Sequence, residues 1–168
     1  MDPAPMDPAH IDPAEQPGTA RPRVSLRQAA ARPTAVVACR TTWAEYPALW
    51  PVLLAEARAA VREPARPGSG VMLYLDDAPS VEVGVEVTGP FRPSGRVIAS
   101  ALPAGLVATT VHRGPYSGLG AAHRAVRDWC AAGGHPVLGP LWEVYGDWSE
   151  DPAELETEIT YLVRAAPP

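Results

Sequence analysis

The sequence predicts an α+β domain. Duplicated β-α-β-β units form one mainly antiparallel sheet, with two helices on one face and a ligand groove on the other. Three observations carry this expectation. Residues 80–88 alternate almost perfectly, with Val81, Val83, Val85 and Val87 on one side and Glu82, Gly84 and Glu86 on the other, as in a sheet with one covered face. Residues 44–62 and 117–132 repeat apolar side chains at helical spacing. The order strand, helix, strand, strand then recurs in the second half without residue identity, so the repeat lies in the pattern of elements.

Taken in order, residues 1–22 carry Asp-Pro-Ala at positions 2, 7 and 12 and almost no large apolar side chains. Such a segment cannot offset its ordering entropy and is expected to be disordered. The globular part is expected over 23–164. Residues 35–41 form a short β-branched run and predict a strand. In the first helix Leu49, Leu53, Ala57 and Val61 share a line, with Trp50 and Leu54 beside it. Pro47 suits a first turn, whereas Pro51 deletes a helical N–H and predicts a late start or a kink. Residues 64–70 stop that helix, 71–75 and 80–88 predict strands, and 91–100 predict a loop leading to a short strand. The next strand spans 106–112 and ends on Gly114-Pro115. The second helix has Leu119, Ala122, Val126 and Trp129 as its apolar stripe and stops at Gly133-Gly134. Strands at 141–146 and 157–163 flank a polar loop.

Composition narrows the function classes. The chain has 168 residues and a net charge of −5, and all its basic residues are arginine, without clustering. Phosphate recognition needs local positive charge, so no direct nucleic-acid partner is expected. No apolar run has the ~20 residues of a membrane span, and the N-terminus lacks signal-peptide order, so a cytoplasmic, soluble protein is expected. Cys39 and Cys130 lack metal-ligand spacing and are expected as buried free thiols. No metal site and no cofactor are expected, because His10, His112, His123 and His135 lack ligand spacing, no G-x-S-x-G elbow occurs, and Gly118-Leu119-Gly120 lies inside a helix.

Chemistry concentrates between residues 112 and 163. Assigning Trp142 and Val144 to the helix side by their bulk, with Ile159, Tyr161 and Val163, leaves Glu143 and Tyr145 on the helix-free side, with Glu158, Thr160 and Leu162. Thr110 and His112 are expected to join that row, with Glu82 and Glu86 as counterparts in the first half. Two readings of Glu143 stand at this point: a solvent-facing strand residue, or the base of a pocket walled by Tyr145, Trp148, Tyr116 and Trp43. In the second reading, aromatic faces attract planar and cationic groups and a desolvated carboxylate supplies the counter-charge.

The strings His112-Arg113-Gly114-Pro115-Tyr116-Ser117-Gly118-Leu119, Gly139-Pro140-Leu141-Trp142-Glu143-Val144-Tyr145 and Glu156-Thr157-Glu158-Ile159 resemble the GyrI-like small-molecule-binding domains, also called AraC-type or BmrR-type effector-binding domains. Residues 43–54 and 81–91 are also similar to this group. The resemblance implies a groove between the halves, with Glu143 receiving lipophilic cations or other bulky aromatics. His112, Trp43, Tyr116, Tyr145 and Trp148 complete the expected ligand-binding set. Members of the group occur fused to DNA-binding domains, as free-standing gyrase-inhibiting or toxin-protecting proteins, and as hydrolases that open cyclopropane-containing toxins. The expectation is therefore a stand-alone small-molecule-binding protein in drug or toxin sensing or protection, with gyrase or a regulator as an undetermined partner. The alternative is a hydrolase in the same groove, with Glu143 or Glu158 handling water and Tyr116 or Tyr145 donating a proton.

Overall fold

The valine alternation and the two apolar helical stripes meet in the computed structural model, which describes residues 22–167. The expected disorder of residues 1–21 lies outside the described residues. Ten regular elements follow in the chain: β1 (Ser25–Ala29), β2 (Arg32–Arg40), α1 (Tyr46–Ala60), β3 (Arg66–Tyr74), β4 (Ser80–Thr88), β5 (Val97–Leu102), β6 (Gly105–Arg113), α2 (Leu119–Ala132), β7 (Val137–Tyr145) and β8 (Glu156–Val163). A 3₁₀ turn, Tyr116–Gly118, leads into α2, and another, Pro152–Glu154, precedes β8.

All strands join one antiparallel sheet in the order β1-β6-β8-β7-β3-β4-β2-β5. Each half is the predicted β-α-β-β unit with one further strand in front of it. Those leading strands are exchanged: β1 pairs with β6 of the second half, and β5 pairs with β2 of the first. β1 has no alternating pattern because four of its five residues are exposed at the sheet edge, so no buried row marks it in the sequence.

The valine row meets α1 as the alternation requires. Val81, Val83, Val85 and Val87 pack with Leu53, Ala57 and Tyr46 of that helix and with Met72, Ala35 and Val37. Leu53 is fully buried, a burial that contributes on the order of 1.5–3 kcal/mol. Thr42 starts the helix by exchanging hydrogen bonds with Glu45 and accepting the Tyr46 N–H, and the helix runs through Pro51 rather than starting after it. α2 packs Leu119, Ala122, Val126 and Cys130 on Ala108, Ile159, Tyr161 and Val163. Trp129, expected in the apolar stripe, is only partly buried and stacks on His135.

The phase of β7 is opposite to the expectation. Glu143 stands opposite Met72 on one side and Ile159 on the other, both of which face helices. Glu143 and Tyr145 therefore lie on the helix-bearing face. Trp142 and Val144 point the other way and pack with Val36, Val71, Leu73, Leu102 and Val107. Bulk misassigns this strand because both faces of the central sheet are covered. On the helix-free side the sheet curls until Arg32 of β2 bonds both Glu86 of β4 and Glu158 of β8, three strands further across.

Candidate functional site

The central strand pair of the sheet, β3 and β7, is the seam between the halves. Antiparallel register puts Met72 across from Glu143 and Tyr74 across from Leu141, so Tyr74, Glu143 and Tyr145 share the helix-bearing face. Glu143 is 5 % exposed. A carboxylate so buried is tolerated only with charge or hydrogen-bond compensation, and it has three donors. His123 Nε2 lies 2.7 Å from Oε1, while Oε2 accepts from the Tyr145 hydroxyl at 2.6 Å and the Tyr74 hydroxyl at 3.2 Å.

These bonds set the electrostatics. Burial pushes the Glu143 carboxyl up, but His123, by its hydrogen bond and its electrostatic attraction, and then the bonds from Tyr145 and Tyr74 outweigh it and hold the group below its ordinary value. Tyr145 and Tyr74 are raised well above the usual phenol value, first by burial and then by the charge of Glu143. Behind His123, its Nδ1 is 2.8 Å from the hydroxyl of Tyr161, which accepts from Arg127 at 3.3 Å. Burial raises Tyr161 to about 12 against the opposing pull of Arg127.

Aromatic rings lie between this cluster and the surface. Tyr116 meets Tyr145 edge-on at 5.4 Å between centroids. Trp43 stacks on Tyr74 at 5.9 Å and stands edge-on to Tyr46 at 6.1 Å. Trp43 is 36 % exposed and Tyr46 only 7 %, so the stack runs from the surface down to the carboxylate. The buried Tyr46 hydroxyl lies beside that of Tyr74, whose proton goes to Glu143, and meets no well-aligned partner among the described residues.

Of the residues expected at the site, Glu143, Tyr145, Tyr116 and Trp43 come together. Three do not. His112, with Thr110, lies on the helix-bearing face, opposite Thr157, rather than in the helix-free row expected of it, and its ring bonds the Pro115 carbonyl at 2.9 Å and packs under Gly118, tying the turn before α2 to the sheet. Trp148 is 73 % exposed in the loop after β7. Glu158 faces the helix-free side, where it pairs with Arg32 and Arg27, so the two carboxylates of the hydrolase alternative look away from each other. Glu82 and Glu86 share that side, bonded to Ser100 and Arg32. Four residues were missed: Tyr74, Tyr46, His123 and Tyr161. His123 carried a legible signal, since it lies four residues after Leu119 and three before Val126, on the buried stripe of α2.

One sheet of two fused β-α-β-β halves with two helices on it is a fold that this chain shares with solved structures. The C-terminal domain of EcmrR is 23 % identical over 86 % of this chain and 99 % of that one, with a TM-score of 0.70. SAV2435 bound to tetraphenylphosphonium is 14 % identical over 84 % and 94 %, with a TM-score of 0.64. A hydrolase from Listeria innocua is 11 % identical over 84 % and 92 %, with a TM-score of 0.58. No curated protein matches the sequence. The model of the GyrI-like small molecule binding domain matches residues 22–164, and the chain belongs to that family.

Proposed function

We propose that the chain binds bulky aromatic cations at the seam between its halves, with Glu143 as counter-ion, in the sensing of drugs or toxins or in protection against them. The observation that carries this is a carboxylate held charged at 5 % exposure beneath a stack of aromatic rings. A neutral, purely structural role gives no reason to retain a buried anion there. Tetraphenylphosphonium, bound in the SAV2435 structure, has the complementary chemistry: one positive charge inside a shell of rings.

Because three donors surround Glu143, a ligand enters by parting the rings. The Tyr74 bond is the longest of the three, and Tyr74 is stacked on Trp43, the more exposed ring. Displacing that pair opens Oε2 while His123 keeps Oε1. Calorimetric titration with tetraphenylphosphonium and with neutral triphenylphosphine oxide tests the reading. Glu143→Gln is expected to weaken the cation by about tenfold or more, equivalent to ~1.4 kcal/mol, and to leave the neutral compound nearly unchanged. Equal losses for both would remove the counter-ion role.

A further inference from the structure

A clasp bends the sheet on the face away from Glu143. Arg32 of β2 donates from Nε to Glu86 of β4 at 2.6 Å and from Nη1 to Glu158 of β8 at 2.9 Å. β2 and β8 are four steps apart in the sheet. Four steps of a flat sheet span roughly 19 Å, more than an arginine and a glutamate reach together, so the second bond exists only because the sheet curls toward its helix-free side. The opposite face is then convex. α1 lies over β4 and β2, and α2 over β6 and β8, so the curl splays the helices and leaves β3 and β7 between them. Tyr74, Glu143 and Tyr145 stand in that gap, and Tyr145 packs against the clusters of both helices.

Glu86 belongs to the first half and Glu158 to the second, so one planar guanidinium grips a carboxylate from each. The arm that crosses the seam is reinforced: Arg27 lies 3.4 Å from Glu158, and the Thr160 hydroxyl donates to it at 3.3 Å. Arg32, Glu86 and Glu158 are all partly buried, where solvent ions screen the attraction less than at the open surface. We propose that Arg32 and Glu158 are positioning residues that hold the curl, and through it the separation of α1 and α2, so that the seam admits bulky aromatic cations. Without the clasp the sheet flattens, the helices close over the seam, and the gap above Glu143 narrows.

The size preference rests on the function proposed above, whereas the curl does not. The test therefore has two arms on the full-length protein. Without ligand, electron–electron resonance between spin labels on ketone side chains placed at the exposed positions Ala59 of α1 and Arg124 of α2 measures the helix separation and leaves both cysteines in place. Arg32→Gln and Glu158→Gln are expected to shorten it by about 1–2 Å, the scale of helix shifts at packed interfaces. Arg32→Lys keeps the charge but not the two-pronged grip and is expected to follow them, whereas Glu86→Gln leaves the arm across the seam and is expected to stay near the wild type. With ligand, calorimetric titration compares tetraphenylphosphonium with the smaller phenyltrimethylammonium. Arg32→Gln is expected to weaken the large cation by about fivefold or more and the small one by less than about twofold, a coupling between two faces of one sheet. A helix separation that is unchanged or longer in Arg32→Gln overturns the proposal, and so does an equal change in affinity for the two cations. A shortened separation in a protein whose wild type binds neither cation supports the clasp and instead contradicts the proposed function.

Discussion

Glu143 is the residue on which the fold and the proposed function meet, and its charge has a cost that the fold carries. Its carboxyl lies below the ordinary value of 4.5 in the folded chain, so in the acid range the unfolded chain binds more protons than the folded one. The stabilisation is therefore complete above the unfolded value and lost as pH falls through the folded one. Urea unfolding between pH 5 and pH 3 is expected to show a steeper loss of stability for the wild type than for Glu143→Gln, which has no proton to take up. Parallel curves for the two proteins would mean that the carboxyl is not held charged. At this scale the sequence displayed the acid and its neighbours Tyr145, Tyr116 and Trp43, because an acid in an aromatic string is visible by contrast. It hid Tyr74 and Tyr46, whose partners are distant in sequence. His123 had a legible position but a polar side chain, and an apolar stripe drawn through Leu119 and Val126 passes over it.

Elements were legible where one face was buried and the other open. β4 shows this best: its valine row predicts both the strand and the helix that covers it. β7 shows the limit, since Trp142 is 2 % and Glu143 5 % exposed and burial on both faces removes the contrast that sets phase. Register settles what pattern cannot, through the pairing of Glu143 with Met72 and Ile159. Close strand packing is equally invisible in sequence. Gly84 sits in the polar row of β4, yet a Cβ there would collide with the carbonyl oxygen of Ala35 and lie 2.7 Å from the Cα of Val36. Because backbone rather than a flexible side chain blocks the space, Gly84→Ala is expected to destabilise the protein by about 3 kcal/mol or more. A chemical denaturation midpoint unchanged from the wild type would show that β2 and β4 have room to separate.

The whole molecule is a pair of halves joined by exchange. Each contributes three sheet strands and a helix to its own side and sends its leading strand to the other. That exchange ties the halves together at both edges, while β3 and β7 join them at the centre, so the seam that holds Glu143 is braced from three directions. On the helix-free side the curl of the sheet is filled by Trp142, Leu73 and their neighbours and bridged by Arg32. A shallow hollow of about 210 Å³ remains there, lined by Val111, Val144, Glu156 and Glu158 among others. The two faces thus offer two acids, Glu143 under aromatic rings and Glu158 already paired with arginines. Only the second has arginines fixed against it. A crystal structure of the complex with tetraphenylphosphonium tests this account most directly. The account predicts the phosphonium on the helix-bearing face within roughly 6 Å of the surrounding ring centroids, the range of a cation–π contact, with Trp43 and Tyr74 displaced and His123 still bonded to Glu143. A phosphonium seated in the hollow beside Glu158, with the Glu143 network unchanged, would contradict it.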